Sequence, residues 1–171
     1  MASLMENLID VLNRECDEYE GLLEVSQRKT PIIVSGNLEK LQQITDEEQA
    51  LVSRINNLER KRTEVTADIA TVLNKDVTKL TLSSLIDMLA ARPAEQNELI
   101  KAHDKLRLKV RELKRVNEQN GVLLKDALEM VEFEITLLQA AKTAPETANY
   151  NKGAYNAGDT MGVSRGFDAK Q

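Results

Sequence analysis

The amino-acid sequence predicts an all-α protein. The expected form is an elongated antiparallel helical bundle or coiled-coil hairpin of three long helices plus one short helix, with a flexible C-terminal tail. Three observations predict it. Aromatic residues make up 3% of the 171 residues and charged residues 30%, a balance that suits long helices better than a sheet over a thick core. Apolar residues recur at alternating spacings of three and four over most of residues 1–142, the expected helical domain, and lose that period in 143–171. Pro31, Gly36, Asn37 and Pro93 punctuate the periodic runs where a helical chain would turn.

The first helix is expected over about residues 3–29. Met5, Ile9, Leu12, Cys16, Tyr19 and Leu23 form one stripe, which Leu8 and Leu22 widen beyond a bare coiled-coil seam, so the helix should meet more than one neighbour. The turn falls near Pro31, Gly36 and Asn37. The second helix, about 38–74, has the cleanest period: Leu41, Ile44, Glu48, Leu51, Ile55, Leu58, Arg62, Val65, Ile69 and Val72. It would be roughly 55 Å long. Glu48 and Arg62 occupy seam positions 14 residues apart on it and cannot pair with each other, so each needs a partner on another helix or in solvent, as register-setting polar seam residues do.

Thr81 is the expected N-cap of a short third helix, about 82–91, which carries Leu82, Leu85, Ile86 and Leu89 and should plug one end of the hairpin. Pro93 opens the longest helix, about 94–142. There Leu99, His103, Leu106, Val110 and Leu113 lead to the polar seam positions Asn117 and Asn120, and then to Leu124, Leu128, Val131, Ile135 and Leu138. The double step of four from 120 to 128 reads as a stutter with Gly121 at the joint, which would re-aim the stripe. At roughly 70 Å this helix would outrun the second by about 15 Å. Its last stripe would then lack internal partners and serve as a docking groove.

The net charge of −5, with bases interspersed among acids, gives no surface for nucleic acid. No basic leader precedes an apolar run, and no stretch is apolar for the ~18 residues of a membrane span, so the expected location is the cytoplasm. A single cysteine, Cys16, cannot close an internal disulfide and is read as a small buried apolar residue. No catalytic set is visible. The only histidine, His103, sits on a seam, and no phosphate loop or metal-binding pair of Glu and His three residues apart occurs. Asp46, Glu47 and Glu48 near a helix start favour the helix dipole rather than a metal. No cofactor is expected.

Six elements together carry a resemblance over nearly the whole chain. They are the leucine pair Leu22 and Leu23 with Lys29; the connection Gly36 to Leu38; Glu47 and Glu48; Leu58 and Glu59 with Arg62; "TLSSLIDML"; and "NEQNGVLLKDAL". In this order they resemble the FlgN-type flagellar export chaperones. The tail, with "NYNKGAY" and "GFDAKQ", is similar to the family's Gram-positive members. The resemblance implies a non-enzymatic cytoplasmic chaperone of the flagellar type III system. Such a protein binds the C-terminal helical segments of the two hook-filament junction proteins, prevents their premature association, and delivers them to the export gate. It implies a cargo groove, here Leu124, Leu128, Val131, Ile135 and Leu138, and an export-gate tyrosine, here Tyr150 or Tyr155. Alternatives are a coiled-coil scaffold acting as a homodimer, a cofactor-using bundle, and an export chaperone for the filament cap or flagellin.

Overall fold

A computed structural model of the chain describes residues 2–143, and the residues from 144 onward, with Tyr150 and Tyr155, lie outside it. The described residues form four α-helices: α1 (Ala2–Ser35), α2 (Leu38–Val72), α3 (Leu82–Met88) and α4 (Pro93–Thr143). Short 3-10 turns, Val77–Lys79 and Leu89–Ala91, flank α3. The chain divides into two units, one ending at Leu128 and one beginning at Glu129.

In the first unit α1 and α2 form an antiparallel hairpin with a two-residue connection. Gly36 takes φ +68°, a left-handed conformation that glycine adopts without steric cost, and its N–H donates to the Ile33 carbonyl. Asn37 then caps α2 by accepting from the Lys40 N–H at 3.0 Å. The first helix therefore runs six residues past its expected end at 29 and contains Pro31. A proline this near the end forfeits one backbone hydrogen bond, and the burial of Ile33 at 4% exposure helps hold the last turn in place. At mid-hairpin, Gly21 admits α2 closely, since a Cβ there would meet Leu51 Cδ2 at 3.3 Å.

Between the long helices a 3-10 turn and α3 make the expected plug. Thr81 caps α3 reciprocally with Ser84, each side chain accepting from the other's backbone N–H. Leu80, Leu85 and Leu89 join Leu8, Leu12, Ile69, Leu99 and Ala102 in the larger apolar cluster. A smaller cluster joins Leu22, Leu23, Ile55, Leu113 and Val116.

The direction of α4 against α1 follows from their polar contacts. Thr30 Oγ1 donates to Asn120 Oδ1 at 2.6 Å, Asn120 Nδ2 donates to the Ser26 carbonyl at 2.8 Å, and Lys109 Nζ lies 3.5 Å from Glu20. The partners are about 90 residues apart in each case, so α1 and α4 run parallel, with α2 antiparallel to both. The same offset places Ser35, the last residue of α1, level with Lys125 near the end of this unit.

The seam of α4 differs from the expected one. Leu99, Ala102, Leu106, Leu113, Val116 and Asn120 are buried, with Lys109 partly buried between them. These positions step three and four without a slip. His103 is only partly buried, and Val110 and Asn117 are exposed. The seam is therefore continuous through Asn120, and Asn117 lies outside it; beyond Asn120, Leu123 and Leu124 are both partly buried and residues 125–128 are exposed. Gly121 is exposed, helical and has open space where a Cβ would stand, so it is not a joint. Gly121→Ala is expected to raise stability by up to ~1 kcal/mol in urea unfolding, because it removes backbone freedom from the unfolded chain. A loss of stability would show that the glycine has a packing role.

Candidate docking surface

Two pairs of opposite charge bridge α1 and α2. Arg62 on α2 lies 3.1 Å from Glu15 on α1, and Lys29 on α1 lies 2.5 Å from Glu48 on α2. Each helix carries its two charges 14 residues apart, acid first and base second in chain order. Antiparallel packing sets opposite signs together at both places, whereas parallel packing at this spacing would face acid with acid and base with base. The two-residue connection already imposes the antiparallel direction, and the two pairs suit it and help set the register along it. Glu47 pairs with Arg28 at 3.0 Å and Asp46 accepts from Gln42 Nε2 at 3.0 Å, so the three adjacent carboxylates go to three separate partners.

Glu15 was not evident from the apolar stripe, although it stands seven residues after Leu8 and seven before Leu22, two residues the stripe did include. It is fully buried, and neither carboxylate oxygen has a hydrogen-bond donor. Arg62 is near enough to attract it but is not aligned to donate a hydrogen bond. Loss of hydration therefore dominates and pushes the carboxyl up to about 7, against the pull of Arg62 and with the help of the neighbouring Glu59 carboxylate. Tyr19 donates to Glu59 at 2.9 Å, and burial together with that bond pushes its hydroxyl up to about 12. This layer is closed to solvent at Glu15, which does not suit a substrate site. Cys16 is fully buried beside it, and burial raises its thiol, so it is a packing residue.

Among the described residues, two larger apolar features lie at the surface. One is a cleft of about 180 Å³ near the start of α1, lined by Leu4, Met5, Ile69, Val72 and Met88 with Arg92 among its walls. The sequence period had placed Val72 on the α2 seam, but it is half exposed at this cleft.

The other feature lies toward the end of α4. Among the described residues, half of the exposed large hydrophobic side chains fall between Val122 and Leu138. Of the expected groove residues, Leu124 is partly buried and Leu128 is exposed, both in the first unit. Val131, Ile135 and Leu138 are exposed in the second unit, as are Met130, Phe133 and Leu137, which the expected stripe did not include. Within 129–138 the two sets step 4,3 and 3,4, so they form two separate apolar faces. Soluble chains rarely leave such a concentration uncovered unless something docks on it.

A helical bundle with a charge-locked interior, a sealed polar layer and an uncovered apolar helix end belongs to the class of helical binding proteins. Among the described residues no helix is long and apolar enough to cross a membrane. The FlgN protein family matches residues 1–157, most of the chain, and the chain belongs to that family. It is thus a flagellar export chaperone and not an enzyme. It is also similar to the uncharacterized protein YvyG of Bacillus subtilis (strain 168), with 28% identity over 144 residues that cover 84% of this chain and 83% of that one. No solved structure gives a significant match.

Proposed function

We propose that the chain acts in the cytoplasm, binding the C-terminal helical segments of the hook-filament junction proteins, masking them and bringing them to the flagellar export gate. The observation that carries this reading is the uncovered apolar end of α4 in a member of the FlgN family. An amphipathic helix can anchor on such a surface at helical spacing. Each exposed aliphatic anchor contributes roughly 1.5 to 3 kcal/mol in gross transfer terms. Association and ordering costs offset most of that, so an affinity near micromolar or somewhat tighter is expected.

The test is calorimetric titration of the full chain with the C-terminal segments of both junction proteins, with filament-cap and flagellin segments as comparison. The junction segments should bind one to one and the others more weakly. Val131→Asp with Ile135→Asp should weaken binding at least 100-fold without changing helical content, since both side chains are exposed in the free chain. If instead the protein is a stable dimer, and Leu128→Asp and Val131→Asp give monomers that still bind junction segments, the surface is a self-association site and the docking assignment fails.

A further inference from the structure

The charges around the α4 end specify more about its occupant. In the second unit, residues 129–142 read "EMVEFEITLLQAAK", with three carboxylates and one cation at the far end. At about 100° per residue, Val131, Ile135 and Leu138 cluster on one side, while Met130, Phe133 and Leu137 cluster roughly 130° away. Glu134 falls in the narrower gap between the two clusters. Glu132 borders the outer edge of the first, and Glu129 the outer edge of the second. Each apolar face is therefore edged by carboxylates on both sides. All three glutamates are exposed, and among the described residues none has a cationic side chain within ion-pair distance.

We infer that this surface receives a partner protein's amphipathic helix that carries Lys or Arg beside its apolar stripe. The inference rests on the docking reading above and adds the charge of the occupant. Exposed carboxylates flanking an apolar contact favour bases across the rim and penalise acids there. A second copy of this helix is a poor occupant, because pairing it with itself brings three acids on each side together with only Lys142 to offset them. The contribution is one of selection and encounter rate more than of gross affinity, and it is sensitive to salt because the rim is wet.

The experiment uses the full chain and two synthetic amphipathic helices of about five turns. Both carry the same apolar stripe, one flanked by Lys and Arg and the other by Glu and Asp. At 50 mM salt the basic peptide should bind at least tenfold more tightly than the acidic one, and at 500 mM the ratio should fall below about threefold. The triple variant Glu129→Gln, Glu132→Gln, Glu134→Gln should lose the preference at low salt while keeping its helical content. Equal binding of the two peptides would overturn the inference. So would a preference that survives in the triple variant, since the chain's overall charge would then be its source. Dimerisation through this end, or binding that appears only after residues 144–171 are removed, would name a different occupant and overturn it as well. Junction segments that bind regardless of flank charge would sink this inference and leave the proposed function standing. Failure of those segments to bind, with the peptide preference intact, would do the reverse.

Discussion

Leu12→Ala is expected to lower the free energy of unfolding by about 3 to 5 kcal/mol, while Leu128→Ala should change it by less than about 0.5 kcal/mol. The two residues differ in environment, not in chemistry. Leu12 is fully buried in the larger apolar cluster, at the level where α1 meets both α2 and α4. Truncation there forfeits the transfer energy of three carbons and leaves a cavity that a bundle held by α3 and two ion-paired layers cannot readily collapse. Leu128 is 63% exposed and gives up little on truncation. In thermal unfolding the first variant should melt roughly 10 °C or more below the parent and the second within a degree or two. A comparable loss from both would mean that Leu128 is covered in the free protein, and the docking assignment would fall with it.

Glu15→Gln is expected to stabilise the bundle above neutral pH by about 3 kcal/mol and to leave it almost unchanged below pH 4.5. In the folded chain burial holds the carboxyl up to about 7, against 4.5 for an exposed one. Between these values the unfolded chain has released this proton and the folded chain keeps it. Unfolding then releases a proton, and stability falls as pH rises. Below pH 4.5 both states are protonated and the penalty vanishes; above 7 both are ionised and it is constant. The measurement is the difference in urea unfolding between parent and variant at pH 5, 6, 7 and 8, since other carboxylates cancel in the difference. It should grow across that series. A difference that is the same at pH 5 and pH 8 would show that Arg62 or water compensates the buried charge fully. The native glutamate would then act mainly on specificity: it matches Arg62 only in the antiparallel register.

The two variants probe parts of the molecule that were unequally visible in the sequence. The α1 stripe from Ile9 through Leu12 and Cys16 to Leu23 was legible because a buried helical face repeats every three or four residues whatever it packs against. Thr81 and Pro93 were legible because capping and φ restriction act within one turn. The end of α1 was not legible, since Pro31 is a local stop signal that a single buried residue, Ile33, can outweigh.

The α4 seam shows where local pattern gives out. His103, Val110 and Asn117 keep the same period as Ala102, Lys109 and Val116, one residue away, and both stripes fit the apolar residues they share. Period alone does not choose between them, although Ala102 and Val116 are apolar where His103 and Asn117 are polar. The choice is made by packing against the rest of the bundle, where Ala102 and Val116 enter the two apolar clusters and Lys109 reaches Glu20 on α1.

By itself the sequence determined the helical class, the order and approximate bounds of the four helices, and the presence of charges on their seams. It also held the apolar residues at the end of α4 and the motifs of the FlgN family. All of these depend on spacing along one chain, and spacing is local. Only the tertiary structure decided that Glu15 faces Arg62 and Lys29 faces Glu48, which α4 stripe is core, and that Gly121 has no packing role. Those outcomes depend on what another helix presents at the same level, and the helices that meet there are separated by dozens of residues in the chain.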